Sequence, residues 1–476
     1  MRLLELFAYL MNVGLLFWIF FKPNWLARRY FVVSLALTTL LTLFQLQLEG
    51  YRWQMVATYL LTVFLWGIVI KSKVEFRAKK EQKNRRSGRK KTFLGLLVLI
   101  YALIAGTLPV CLPVFSFESP TGTYAVGTVT YHWIDLKREE AYSKDPEDHR
   151  ELMVQVWYPS PEGEKGKKNS YVPYLPQFSQ EISKQFGVPA FLLQYLHLVK
   201  THATVQSKLS EAAPKYPIVL FSPGMGGTRF QNMFQVEELA SHGYIVVGME
   251  HTYHSVATVF PDGKTTGFRK MNLLDLSSSD KMTSEIIVKD IQFVLDQIEG
   301  LNREDSTGQF KGRLDLDRIG IFGHSLGGAA AAQMLLLDPR VKAGINMDGT
   351  FFGEPIPKSG LKKPFMLMNS ESLVTETETE KQPPQKMLNK YKLTLEEFNK
   401  MTKDIVMRRE NSMAGGAYQL TIPHSKHFSF SDFYMYSPLL QWMEGTSPKH
   451  EHRTINAYTV AFFDRFLQNK PSSLFN

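Results

Sequence analysis

Cysteine is almost missing from this sequence of 476 residues, which contains only one, Cys111. A single thiol excludes a disulfide within the chain and a zinc site built from cysteines. Because Cys111 lies in the first quarter, it also excludes a cysteine nucleophile in the C-terminal part of the chain.

Acidic residues are scarce in the first 118 residues, which hold 16 Lys and Arg residues but only 5 Asp and Glu residues. The remaining chain is almost balanced, with 39 basic and 40 acidic side chains. The formal net charge of +10 therefore belongs to the N-terminal region. A charge excess confined to that region does not indicate a nucleic-acid partner.

Long apolar runs fill the same N-terminal region, approximately Leu3–Phe21, Arg29–Leu48, Gln54–Ile70 and Phe93–Phe115. Each approaches or exceeds the roughly 17–25 residues that a helix needs to cross a bilayer. A cleaved signal peptide would explain only the first run, and three more follow it. We therefore predict a membrane domain, residues 1–118, with four transmembrane helices.

The loop 71–91 contains eleven of the basic residues. A loop of this kind lies in the cytoplasm under the positive-inside rule. With four crossings, everything after Phe115 then lies on the other side of the membrane. The predicted location is the cell membrane, as a multi-pass protein whose C-terminal domain is extracytoplasmic.

From about Gly122 onward, short apolar runs typical of strands alternate with helical patterns. This alternation favours a mostly parallel sheet with helices on both faces. We predict one such domain over residues 119–476. The polar segment 371–416 lies between its last two predicted strands, and it is interpreted equally well as a solvated excursion or as a cap beside the active site.

The sequence Gly323-His324-Ser325-Leu326-Gly327 joins a predicted strand to a predicted helix. A serine at a sharp strand-to-helix turn is exposed as a nucleophile, and glycines two residues to either side permit the strained backbone. This G-x-S-x-G pattern predicts Ser325 as a nucleophile.

An earlier glycine-rich turn, Pro223-Gly224-Met225-Gly226-Gly227, follows another predicted strand. No Gly-Lys-Ser/Thr follows it, so a nucleotide-binding loop is not indicated. In hydrolases with a serine at a strand-to-helix turn, such a loop supplies one oxyanion N–H, and the residue after the nucleophile supplies the other. The candidate donors are therefore Met225 and Leu326.

A serine nucleophile also needs a histidine base and an acid that orients the histidine. Asp348 and Glu371 each follow a predicted strand downstream of Ser325, so either could be the acid. His424 and His427 both follow the last predicted strand, where the base is expected. The residues by themselves leave both choices open.

Five blocks of the sequence occur in the order found in one known family. They are Leu220-Phe221-Ser222-Pro223-Gly224-Met225-Gly226, Leu239 to Val247 with Glu250-His251, Gly323 to Ala329, Ile345-Asn346-Met347-Asp348, and His427 to Phe433. Together they resemble the platelet-activating-factor acetylhydrolase family, serine esterases with the α/β-hydrolase fold.

The resemblance implies Ser325 as nucleophile, Asp348 as acid and His427 as base. The family's histidine stands three residues before a phenylalanine and five before an aspartate, as His427 does and His424 does not. The chain departs from the family at Pro223, where a histidine is frequent. Its N-terminal spans are also no part of the animal enzymes.

We therefore predict an α/β-hydrolase fold preceded by about four transmembrane helices. The predicted function is a membrane-anchored serine ester hydrolase that cleaves a short-chain or phospholipid acyl ester, with no cofactor, no metal and no nucleic-acid partner. An acyltransferase or thioesterase with the same triad is one alternative. A non-catalytic binding module in the membrane is another.

Overall fold

The computed structural model describes residues 1–20, 25–78, 88–372, 383 and 385–475. Contacts between Cα atoms divide the chain into two compact units. The first unit comprises Met1–Phe115, Phe191–Val199 and Tyr436–Leu440. The second comprises Ser116–Ala190, Lys200–Met435 and Gln441–Asn476.

The first unit contains four long helices: α1 (Leu3–Phe20), α2 (Trp25–Leu48), α3 (Val56–Ala78) and α4 (Gly88–Cys111). Within the described residues, two segments are long and apolar enough to cross a membrane, Arg29–Leu48 and Trp53–Lys71. The apolar parts of α1 and α4 are shorter. The prediction of four membrane-spanning helices is therefore not supported as a whole, since these two segments are candidates by length and composition alone. Residues 79–87 of the basic loop lie outside the described residues.

A buried ion pair connects helix ends within the first unit. Arg52 lies 2.6 Å from Glu5 of α1, and neither side chain is accessible to solvent. The Arg52 guanidinium also donates hydrogen bonds to the carbonyl oxygens of Pro109 and Leu112, at the end of α4. Because a buried charge is tolerated only when it is paired and hydrogen-bonded, this arrangement fixes the ends of α1 and α4 against the segment before α3.

The second unit contains a ten-stranded sheet and a separate two-stranded ribbon. The strands are β1 (Ala125–Glu139), β2 (His149–Ser160), β3 (Lys168–Ser170), β4 (Lys200–Val205), β5 (Tyr216–Ser222), β6 (Ile245–Glu250), β7 (Ala257–Val259), β8 (Thr265–Gly267), β9 (Leu314–His324), β10 (Val341–Met347), β11 (Phe365–Ser370) and β12 (Tyr418–Ile422). The sheet order is β12-β11-β10-β9-β5-β6-β2-β1-β4-β3, and β7 with β8 forms the ribbon.

Six neighbouring strands, from β12 to β6 in that order, are parallel. The strand β2 pairs antiparallel with both β1 and β6, so the sheet as a whole is mixed. Parallel strands that are covered on both faces are rich in apolar residues along their whole length. In β5 (Tyr216–Ser222), accordingly, every residue is buried. The predicted mostly parallel sheet is confirmed for this larger part, whereas β1 to β4 lie outside the parallel pattern except for a short β1–β4 pairing.

Helices cover both faces of the sheet. The helices that follow α4 along the chain are α5 (Leu175–Phe186), α6 (Met233–Ser241), α7 (Leu276–Met282), α8 (Val288–Arg303), α9 (Leu326–Leu337), α10 (Gln385–Tyr391), α11 (Leu395–Met413), α12 (Pro438–Glu444) and α13 (Pro448–Gln468). On β9, Ile319 and Ile321 belong to the same hydrophobic core cluster as side chains of α8 and α9. Between them, Gly320 faces Phe463 of α13, on the opposite side.

The segment 371–416 contains α10 and α11, and its residues 373–382 and 384 lie outside the described residues. Arg408 of α11 forms an ion pair with Asp280 at 2.8 Å and donates to the carbonyl oxygen of Gly353. Arg409 donates to the Asn369 side chain on β11. The segment is therefore attached to the second unit by charged contacts, and its role as a cap stays a prediction.

Candidate active site

The carboxyl ends of the parallel strands lie along one edge of the sheet, where α/β proteins place their ligands. The segments that follow β5, β9, β10 and β12 contain the candidate oxyanion loop, nucleophile, acid and base, in that order. The fold thus brings together four parts of the chain that are separated by up to two hundred residues.

Ser325 occupies the single position between β9 and α9. Its backbone has φ of 54° and ψ of −118°, a strained conformation for a residue with a side chain. The turn is held because the Ser325 N–H donates to the Met347 carbonyl at 2.9 Å and the Ser325 carbonyl accepts from Gly328 at 2.9 Å. The Ser325 side chain does not cap α9, and it is partly exposed between buried neighbours.

The glycines on either side of Ser325 are required by close backbone approaches. A Cβ atom on Gly323 would lie 2.1 Å from the Gly327 carbonyl oxygen. A Cβ atom on Gly327 would lie 1.9 Å from the carbonyl oxygen of Ser222, at the end of β5. Only glycine permits the nucleophile turn to lie this close to the neighbouring strand.

His427 and Asp348 are joined by a hydrogen bond of 2.8 Å between Nδ1 and Oδ2. The Asp348 carboxylate also accepts from the Ser370 backbone at 2.6 Å and from the Ser370 hydroxyl at 3.0 Å. Burial alone raises the pKa of Asp348, but the hydrogen bonds from His427 and Ser370 outweigh it and hold this pKa below its ordinary value. Asp348 is therefore ionised at neutral pH, and it fixes the proton of His427 on Nδ1.

The two alternative candidates, Glu371 and His424, lie against each other. The His424 backbone N–H donates to Glu371 at 2.7 Å, and its ring lies 3.7 Å from the same carboxylate. The His424 side chain is 85% exposed, whereas that of His427 is 42% exposed. The hydrogen bonding therefore favours Asp348 over Glu371 and His427 over His424.

In the glycine-rich turn Pro223–Gly227, one backbone N–H group has no acceptor within the described residues. Gly226 donates to His254, Gly227 donates to Gly224, and Gly224 donates to Gln231. Within the described residues, the Met225 and Leu326 N–H groups have no hydrogen-bond acceptor in the protein. The loop also lies against Ser325, because a Cβ atom on Gly224 would be 3.2 Å from the Ser325 Cβ. These features suit the two predicted oxyanion donors.

His324 connects the candidate base to the candidate oxyanion loop, a role that the sequence analysis did not assign. Its Nε2 donates to the His427 carbonyl at 2.9 Å, so its Nδ1 accepts from the Gln231 amide at 2.8 Å. Burial, followed by the nearby His427, lowers the pKa of His324 to about 3, and the ring is neutral. The Gln231 side chain in turn accepts from Gly224. One chain of hydrogen bonds therefore positions His427 relative to the loop.

Asp432, which served only as a spacing marker in the sequence, has a structural role. Its carboxylate accepts from the Met233 N–H at the start of α6, and its own N–H donates to the Gln231 carbonyl at 2.9 Å. Burial raises the pKa of Asp432 well above its ordinary value, despite the hydrogen bonds that it accepts from the α6 backbone. Asp432 thus ties the segment after His427 to the start of α6.

The family model for platelet-activating factor acetylhydrolase, isoform II, matches residues 115–470, well over half of the 476 residues. The chain belongs to this family. The resemblance predicted from the five sequence blocks is thereby confirmed, and the match begins after the four N-terminal helices.

Two curated family relatives show how far the likeness extends. A platelet-activating factor acetylhydrolase of Cavia porcellus is 28% identical over 228 residues, which cover 43% of this chain and 52% of that protein. A probable 1-alkyl-2-acetylglycerophosphocholine esterase of Arthroderma benhamiae is 26% identical over 279 residues, covering 56% of this chain and 68% of that protein. The chain therefore spans about half the length of the first of these relatives.

A solved structure gives the same fold. The ferulic acid esterase from Streptomyces cinnamoneus matches with a TM-score of 0.55 and 29% sequence identity, over 76% of this chain and 96% of that one. A mixed sheet with flanking helices is consistent with an α/β-hydrolase-like esterase fold. The family, the relatives and this structure all support an ester hydrolase.

Proposed function

We propose that this protein is a serine carboxylic ester hydrolase that acts through a Ser325–His427–Asp348 triad. The observation that carries the proposal is the hydrogen bond from His427 to the buried, ionised Asp348, beside the strained turn of Ser325. The ring centroids of His427 and His324 are 4.6 Å apart, so the base lies next to the residue that precedes the nucleophile.

The proposed reaction proceeds in two halves. His427 Nε2 takes the proton of the Ser325 hydroxyl as the oxygen attacks the ester carbonyl, and Asp348 stabilises the imidazolium that forms. The Met225 and Leu326 N–H groups hold the oxyanion. His427 then protonates the leaving alcohol, which departs and leaves an acyl-enzyme. In the second half, water attacks that acyl group by the same route and releases the acid and free Ser325.

The proposed substrates are short-chain acyl esters, including phospholipids such as 1-alkyl-2-acetylglycerophosphocholine. The names of the two curated relatives support this class of substrate. A ferulic acid esterase among similar structures indicates that the fold also accommodates esters that are not lipids. An acyltransferase or thioesterase with the same triad would differ in the acceptor or in the scissile bond.

The first unit is proposed to anchor the enzyme in a cell membrane through four helices, with loop 71–91 in the cytoplasm and the second unit outside. Support comes from its large apolar side chains that face outward, such as Leu40 at 62%, Val63 at 66% and Leu103 at 58% exposure. Apolar surface of this extent is unfavourable in water and suits a lipid environment. Protease treatment of intact cells tests the orientation, since cleavage of the second unit is expected only if it lies outside.

Activity of the full-length protein in detergent on p-nitrophenyl esters of increasing acyl length tests the proposed reaction. We expect the highest kcat/KM for the acetyl and other short esters, and release of acetate from 1-alkyl-2-acetylglycerophosphocholine. A thioester cleaved faster than the matching oxygen ester would favour the thioesterase. An added alcohol that captures most of the acyl group in competition with water would favour the acyltransferase.

Asp348→Asn is expected to lower kcat by roughly 10⁴-fold, because an amide cannot hold the His427 tautomer or stabilise the imidazolium. Glu371→Gln is the matched control, since it makes the same change on the next strand end, where the contact is with His424. Its kcat should stay close to that of the parent. Steady-state rates on p-nitrophenyl acetate measure both variants, and a large loss in Glu371→Gln with little loss in Asp348→Asn would exchange the two roles.

A further inference from the structure

A second Ser–His–Asp chain lies beneath the oxyanion loop. The Ser222 hydroxyl is 3.0 Å from His251 Nε2, and His251 Nδ1 is 3.0 Å from Asp290 Oδ2. Ser222 and Asp290 are completely buried, and His251 is 3% exposed. The order of groups matches that of the proposed triad, but no ester can reach this hydroxyl. The function of these three residues must therefore come from the backbone segments that they hold in place.

Asp290, the acidic member of this buried hydrogen-bond chain, is ionised. Arg150 makes two hydrogen bonds to Asp290, at 3.0 and 2.6 Å, and Arg138 lies 3.0 Å from the same carboxylate. Burial alone raises the pKa of Asp290, but Arg150 and the hydrogen bond from His251 outweigh it and hold this pKa well below its ordinary value. The His251 proton therefore lies on Nδ1, and Nε2 is the acceptor for the Ser222 hydroxyl.

The segment that begins at His251 holds the oxyanion loop at a second point. Gly226 donates to the His254 carbonyl at 2.7 Å, and the Gly226 carbonyl accepts from Val256 at 3.0 Å. His254 itself is tied back to the His251 carbonyl at 2.8 Å. The loop is thus attached to one turn on both sides of Met225, by the Ser222 hydroxyl before it and by the Gly226 backbone after it.

Ser222 is also in backbone contact with the nucleophile turn. Its carbonyl oxygen lies where a Gly327 side chain would otherwise begin, 1.9 Å from the ideal Cβ position. A shift of Ser222 would therefore change the distance between the Met225 N–H and the Ser325 hydroxyl. The first of these groups binds the carbonyl oxygen of the substrate, and the second attacks its carbonyl carbon. A misplacement of about 1 Å is enough to cost on the order of 10²-fold in rate.

From these contacts we infer that Ser222, His251 and Asp290 are positioning residues that hold the Met225 N–H in register with Ser325. The buried relay, defined as these three residues, anchors the oxyanion loop to the end of β6. The buried relay affects the stabilisation of the oxyanion and not the binding of the substrate. This inference rests on the proposed ester hydrolase activity and adds three residues to its machinery.

Ser222→Ala removes the hydroxyl contact and leaves the rest of the relay. In the full-length protein, we expect kcat on p-nitrophenyl acetate to fall roughly 10- to 100-fold, as for a displaced oxyanion donor, with KM nearly unchanged. Thermal unfolding measures whether the fold is intact. A well-folded Ser222→Ala variant with a kcat within about twofold of the parent overturns the inference, because a displaced donor costs more than this.

Two histidine variants decide the question if Ser222→Ala does not fold. His251→Gln can place an acceptor near the position of Nε2 and so retain the Ser222 contact, whereas His251→Asn can place a donor near Nδ1 and retain the Asp290 contact. A positioning role predicts that His251→Gln keeps the higher kcat at matched stability. Equal kcat values, or a higher kcat for His251→Asn, would mean that the relay serves only to satisfy Asp290.

Ser325→Ala, measured in parallel, separates this inference from the proposed function. An inactive Ser325→Ala beside a fully active Ser222→Ala overturns the relay alone. An active Ser325→Ala overturns the proposed nucleophile, whatever the relay variants do. If Ser222→Ala were the inactive variant and Ser325→Ala the active one, the two serines would have exchanged roles and both proposals would be wrong.

Discussion

Ser325→Ala should reduce ester hydrolysis by about 10⁶-fold in kcat, the loss typical of removing the serine from a hydrolase triad. Ser325 is the one residue between β9 and α9, so this variant leaves no hydroxyl at the strained turn. The Met225 and Leu326 donors would remain, so a small residual rate above that of water is expected. A p-nitrophenyl acetate assay of the purified full-length variant measures the loss.

Ser277→Ala provides the control for this experiment, since Ser277 is an exposed serine on α7. Its activity should equal that of the parent. Covalent labelling with a fluorophosphonate gives an independent readout, because the reagent is expected to label the parent and Ser277→Ala but not Ser325→Ala. Equal rates or equal labelling of Ser325→Ala and the parent would refute the serine esterase proposal.

The nucleophile turn was predictable because all of its determinants are local. Gly323, Ser325 and Gly327 lie within five residues, and the strand and helix on either side have clear patterns. The close approaches of Gly323 and Gly327 agree with the reason given for these glycines. The order of strands then limits where an acid and a base can lie, which is why Asp348 and His427 were among few candidates.

The choice between those candidates could not be made from periodicity. Asp348 and Glu371 both follow parallel strands, and the contact that favours Asp348 joins it to His427 across 79 residues. Likewise, the Gln231–His324 hydrogen bond spans 93 residues, and no local pattern indicates it. Only the resemblance to a family pointed to Asp348 and His427, and even the resemblance left Gln231 and His324 without a role.

Short and polar strands were the part of the fold that the sequence concealed. The strand β3 has three residues, and β4 (Lys200–Val205) lacks a long apolar run, so neither stands out from a loop. In the first unit, by contrast, the long apolar runs indicate more membrane spans than length and hydropathy support. The four apolar runs predict α1 to α4, but in the part of the chain that the structure describes, length and hydropathy together give two candidate spans.

His427→Ala is expected to lower kcat by roughly 10⁶-fold, close to the loss for the serine, because an unactivated hydroxyl is a poor nucleophile. His424→Ala is the matched control, three residues away on the same segment, with a ring that is 85% exposed beside Glu371. The control should keep the activity of the parent. Steady-state kinetics on p-nitrophenyl acetate compares the two variants.

Imidazole added to the assay gives a readout that a structural role for His427 would not produce. The His427 side chain is 42% exposed, so a small free base can enter the space that the alanine variant leaves. Partial recovery of His427→Ala, with no effect on Asp348→Asn or Ser325→Ala, would identify the lost function as proton transfer. If His424→Ala were inactive and His427→Ala active, the base would lie on the Glu371 side, and the hydrogen bond between His427 and Asp348 would have a structural role instead.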